Sequence, residues 1–227
     1  MTKSRKVLFH GDGNPIDPRC IKRFTHSFPK GYQTVVRTVI EKSKELDKET
    51  FKDIVAALMS SFNTTRKGAF HGVKVVKGRG VDNQQKILET CWTAVHDKLE
   101  SLRQDLRKTH AQERGRILVE MSPDSRKHII EKTNEVFNEL VQKGKISPVA
   151  ASKILFATLP EIALPVDTAE WKYVFETDSY REVLRVMVDE IQAWKKENSK
   201  IPLKSLDPNP RVTWPAVYNV MAMAARP

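Results

Sequence analysis

The stretch Leu140–Val174, LVQKGKISPVAASKILFATLPEIALPVDTAEWKYV, decides how this 227-residue chain is read. It reads as the end of one helix, a tight turn at Gly144-Lys145-Ile146-Ser147, and a second helix from Pro148 to Leu159. A proline-rich connection then leads into Val166-Asp167-Thr168 and helical spacing as far as Phe175. Gly144 is a natural helix stop, because glycine accepts the left-handed backbone that ends many helices.

Outward from this stretch the helical pattern continues in both directions. Upstream, Ser122-Pro123 opens a helix with proline in the favoured first turn, and Ile129, Ile130, Val136, Phe137, Leu140 and Val141 form its apolar face. Asn83 to Val119 is helical, with an interruption near Gly115. Asp47 to Phe62 places Phe51, Ile54, Val55, Leu58, Met59 and Phe62 on one helix face, and Tyr32 to Lys44 shows the same spacing. Residues 68–80, GAFHGVKVVKGRG, break the rhythm and read as a short hairpin or loop. Residues 1–31, with Pro15, Pro18, Pro29, Gly11, Gly13 and Gly31, read as irregular. Downstream, Ser179 to Lys196 is helical. The tail from Ile201 carries Pro202, Pro208, Pro210 and Pro215 and is expected to wrap the surface before a last short helix near Ala216–Ala224. The fold class expected is mainly α, with at most one short β-hairpin. It forms either one helical domain over 1–227 or two closely packed halves, a basic 1–80 and a carboxylate-bearing 120–200, with an irregular tail 201–227.

Composition narrows the function classes. No apolar run reaches the ~18 residues that cross a bilayer, and Met1-Thr-Lys-Ser-Arg-Lys leads into no signal-peptide core. The expectation is a cytoplasmic or nucleoid-associated protein, neither secreted nor membrane-bound. Cys20 and Cys91 are too few for a disulfide scaffold or a four-ligand zinc site. The six histidines show no paired metal spacing, and His96 and Cys91 do not share a helix face with a carboxylate pair. Lys74, Lys77 and Arg79 sit among glycines without the spacing of a nucleotide-hydrolysing phosphate loop. No metal and no cofactor are therefore expected.

Charge points to the partner. The net charge is +11, and residues 1–80 hold 17 Lys or Arg against 7 Asp or Glu, while the remainder is nearly balanced. A positive field concentrated in this way suits a polyanion, and DNA is the expected partner. Arg66, Lys67, Lys74, Lys77 and Arg79 are the candidate phosphate contacts there, with a solvated turn as the other reading. Trp92, Trp171 and Trp194 fall in helical patterns as core residues.

The Leu140–Val174 stretch resembles the helix-hairpin-helix DNA glycosylase superfamily. Ile146 matches the hydrophobic position of the hairpin, Ala151 the small residue of the following helix, and Val166-Asp167-Thr168 the family's tripeptide. Phe51-Lys-Asp-Ile-Val-Ala-Ala-Leu-Met-Ser-Ser is similar to the family's early helix. The resemblance implies a glycosylase-like helical bundle whose hairpin binds a DNA phosphate, here through Lys143, Lys145 and Ser147. It implies that the loop after the early helix enters the base stack, with Phe62 and Asn63 in that place and Arg66 beside them. It also makes Asp167 the catalytic carboxylate, supporting the positive charge that builds on the sugar as the N-glycosidic bond breaks.

The chain departs from the pattern in two places. Lys145 and Ser147 stand where the family has the hairpin glycines, and Val149 stands at the position of its Schiff-base lysine; Lys153, a turn further on, is expected to point elsewhere. That argues against a β-lyase, and no cysteine cluster matches an iron–sulfur site. The phage thymine-hypermodification pyrophosphorylase group is similar too, and implies transfer of an amine to an activated 5-hydroxymethyl pyrimidine. A DNA-binding module without chemistry is the third reading. Asp167-Thr-Ala-Glu170 is also a helix-capping box, which needs no chemistry at all. A restriction-nuclease reading of Pro165 to Lys172 fails because Asp167 and Glu170 are too close for residues on successive strands.

Overall fold

The computed structural model describes residues 6–62, 80–108, 116–207, 209 and 212–226. The chain is mainly α, and among the described residues the only β contact is an isolated bridge between Phe9 and Pro15. Its helices are α1 (Pro18–Ser27), α2 (Lys30–Lys42), α3 (Lys48–Phe62), α4 (Gly80–Lys108), α5 (Ile117–Glu120), α6 (Pro123–Gln142) and α7 (Pro148–Thr158). They continue with α8 (Thr168–Glu170), which runs into a π-helical turn at Trp171–Phe175, then α9 (Tyr180–Glu197) and α10 (Trp214–Ala224). The hairpin expected within 68–80 lies outside the described residues.

Local chemistry explains where helices start. Asp17, Ser122, Ser147 and Thr213 each accept a backbone N–H of the first turn through their side chains, and each precedes a proline in that turn. Ser179 caps α9 in the same way. Each cap contributes about 1 kcal/mol. Two C-terminal ends are closed by cationic side chains, one distant in sequence and one local. The Arg103 guanidinium of α4 donates to the Ser43 and Lys44 carbonyls after α2, at 2.6 and 2.7 Å. Lys195 donates to the carbonyls of Ser199 and Ile201 after α9.

The centre of the bundle is α7. Apart from Ser152, Lys153 and Thr158 its sequence is apolar, and every residue from Ala150 to Thr158 is buried. Helices α2, α3 and α6 pack on it, α4 packs on α3 and α6, and α9 packs on α6. Helix α10 lies against α9, with α1 against α10. One apolar cluster runs through the bundle from Val7 to Ala222.

Three expectations need correction here. Residues 1–31 contain α1, whose opening Asp17-Pro18 capping signal is masked by the surrounding prolines and glycines. The tail does not simply wrap the surface, because Val212 to Ala222 are all buried and α10 is a core helix. Its sequence, WPAVYNVMAMA, is largely apolar, as in α7. Lys153 does not point away from the site, because its side chain is buried beside the carboxylates described below. Trp194 is fully buried as expected, and Trp92 and Trp171 pack on the core while half-buried.

Candidate active site

The turn between α6 and α7 is built by close approach. A Cβ on Gly144 would collide with the Leu140 carbonyl and press on the Cys91 sulfur, so only glycine lets α6 end here against α4. Lys145 then takes φ +53°, the left-handed region, and this is where the turn reverses direction. Lys145 and Ser147 are both exposed. The Ser147 hydroxyl accepts the Ala150 N–H at 3.2 Å, so its oxygen serves the cap of α7. Lys143 is exposed but ion-paired to Glu139 at 2.7 Å. Among the three predicted hairpin contacts, Lys145 is therefore the cation that the turn itself presents to solvent.

From the exposed turn, α7 descends into the core, and two hydroxyls tie the following connection to its surroundings. The Ser152 hydroxyl accepts the Val166 N–H at 3.0 Å and lies 3.1 Å from the Val166 carbonyl. The Tyr180 hydroxyl accepts the Leu164 N–H at 3.0 Å and donates to the Leu164 carbonyl at 2.9 Å. Asp167 follows directly, so its position is registered to the hairpin through α7.

Asp167 is a cap and an ion-pair partner together. Its Oδ1 accepts the Ala169 and Glu170 N–H groups at 2.8 and 3.2 Å, and the Glu170 carboxylate accepts the Asp167 N–H at 2.8 Å. This is the full reciprocal capping box. Arg226 reaches both acids, 2.5 Å from Asp167 and 2.8 Å from Glu170. Glu170 is 1% exposed, and burial pushes its carboxyl up to about 7 against the opposing pull of Arg226. Lys153, 6% exposed, has its ammonium pKa lowered by burial, while Asp167 and Glu170 pull it back up. Tyr32 accepts a 2.5 Å hydrogen bond from the Asn219 amide, and burial together with the Glu170 charge raises its phenol.

The site thus gathers Tyr32 from α2, Lys153 from α7, Asp167 and Glu170 at α8, Asn219 from α10 and Arg226 beyond it. Of these, Asp167 alone is marked by the sequence as a reacting group. Lys153 and Glu170 were visible as charges in otherwise apolar or capping patterns; Tyr32, Asn219 and Arg226 are joined to them only by long-range packing. The Asn219 Oδ1 and the Arg226 Nε are buried with no hydrogen-bond partner among the described residues. The set holds one carboxylate that gains or loses a proton near neutrality, one capped carboxylate, two cations and a phenol. Those are the parts of acid–base chemistry and of charge stabilisation in a partly dry site.

The remaining predicted residues do not enter this geometry. Asn63, Arg66, Lys67, Lys74, Lys77, Arg79 and the side chain of Phe62 lie outside the described residues. No group of three or more His, Cys, Asp or Glu with metal-binding geometry occurs among the described residues. No described helix is long and apolar enough to cross a membrane. No family model, curated protein or solved structure matches the chain.

Proposed function

We propose that this protein binds DNA and acts on a base within it, hydrolysing the N-glycosidic bond with Asp167 as the catalytic carboxylate. The observation that carries the reading is the registration of Asp167 to the exposed hairpin turn through Ser152 and α7. A phosphate held at Lys145 fixes the strand relative to the carboxylate, and positioning of this kind is a large part of catalysis. The target nucleotide leaves the stack to reach the site. As the bond breaks, the base departs with the bonding electrons, and Asp167 stabilises the positive charge left on the sugar. A water adds to the sugar carbon and its proton passes to the departing base, so the step balances with Asp167, whose side chain is partly exposed, as the carboxylate that faces it.

The test is abasic-site formation on a panel of damaged and mismatched duplexes, comparing the wild type with Asp167→Asn of verified helicity. Product from the wild type that is lost in the variant supports the reading. Pyrophosphate release from DNA bearing an activated 5-hydroxymethyl pyrimidine replaces it with amine transfer. Salt-dependent binding with neither product replaces it with a DNA-binding module, and absence of binding at low salt overturns all three.

A further inference from the structure

A second feature lies at the C-terminal end of α10. A cleft of about 900 Å³ opens between the N-terminal turn, α1 and the end of α10. Its floor is apolar, with Val7, Ile16 and Met221, and its walls carry Phe9 and Phe24. Phe24 is 41% exposed, one of two large hydrophobic side chains so exposed among the described residues. Lys6 and Arg23 bring positive charge to the same cleft, and the Lys6 ammonium lies 5.1 Å from the centre of the Phe9 ring.

The cleft is preformed. The Val7 and Leu8 N–H groups donate to Glu190 at 2.5 Å, and the Ile16 carbonyl accepts the Trp194 indole N–H at 2.8 Å. The turn above it is closed by His10 and Gly13, the latter at φ +90°, where a side chain would be strained. Asp12, the one carboxylate lining the cleft, spends both oxygens on Asn14 at 3.0 and 2.9 Å. It stays ionised, and Lys6 and Arg23 outnumber it in the cleft. Helix α1 also carries Arg19 and Lys22 and has no acidic residue.

We propose that this cleft binds a single nucleotide, its base against Phe24 and its phosphate on Lys6 and Arg23. A simple anion would leave the phenyl rings wet, and an apolar ligand would leave the two cations without an anion. A planar aromatic base joined to a phosphate satisfies both, and its size fits a pocket of this class. The site goes beyond the base-acting reading and shares none of its residues.

The nucleotide is either free or part of a strand, and two probes separate these. Calorimetry with thymidine monophosphate tests the first, and anisotropy with a labelled short oligothymidylate tests the second. Single-site binding of the mononucleotide is expected, weakened about tenfold in Phe24→Ala by loss of stacking. Arg23→Gln is expected to weaken binding and lower its salt dependence. Both side chains reach solvent, so neither change threatens the core. Binding of the oligonucleotide alone, with the same two losses, assigns the site to a strand. Failure of both probes to bind, or binding unaltered in both variants, overturns the proposal. Asp167→Asn leaves this binding unchanged while abolishing base release, so the two readings fail separately.

Discussion

Glu170 is uncharged at mildly acid pH because burial opposes its ionisation more than Arg226 favours it. Its pKa rises on folding from 4.5 to about 7, so the stability it contributes is complete below about 4.5 and is lost as pH rises through 7. The loss is on the order of 3 kcal/mol at most. Urea unfolding followed between these pH values should show the wild type weakening with pH, and Glu170→Gln should flatten that slope. Gly144 yields a prediction of opposite character, because the obstacle there is backbone. Gly144→Ala should destabilise the protein by about 3 kcal/mol, visible as a lowered melting temperature. At this scale the Asp167–Glu170 capping box could be read from neighbours in sequence, and so could the stop at Gly144, although the left-handed residue is Lys145 and Gly144 is required by the close approach of Leu140 and Cys91. Arg226 could not, since nothing near residue 226 announces a partner at 167.

Helix α7 joins the surface turn to the carboxylates, and the turn tolerates Lys145 in a conformation that glycine adopts more freely. Lys145→Gly should therefore keep or raise stability, by about 1 kcal/mol, while weakening DNA binding and reducing its salt slope by about 1. Thermal melts and binding titrations at several salt concentrations measure both quantities. Ser152→Ala removes the hydroxyl that registers Val166 to α7 and should lower the rate of base release more than it lowers DNA affinity. The helices around α7 were legible because caps and apolar spacing are local properties, as in Ser122-Pro123 and the Phe51–Met59 face. The burial of α10 was less so: five prolines in the tail suggest surface, while the largely apolar WPAVYNVMAMA is the feature that packing obeys.

Across the molecule, the charge excess of residues 1–80 divides unevenly. Residues 63–79 hold five Lys or Arg and no acid, whereas 6–62 hold ten against seven. Removing Lys74, Lys77 and Arg79 together should weaken DNA binding and flatten its salt dependence without altering the helical signal, as titration and circular dichroism would show. Proximity in space follows neither this division nor chain order, since α1 packs on α10 and Tyr32 meets Asn219. Glu190 illustrates the same point by joining Val7 and Leu8 to α9 and accepting the Tyr218 hydroxyl at 2.7 Å. Glu190→Ala leaves three donors without their acceptor and should cost about 3 kcal/mol, with the Val7 and Leu8 amides exchanging faster with deuterium. That same closure governs the order of assembly. Loops of more than 180 residues must shut before residue 7 meets residue 190, so the late step in folding is entropic and long-range. This all-helical protein should refold more slowly than its helix content suggests, with helical signal returning before the Trp194 environment does.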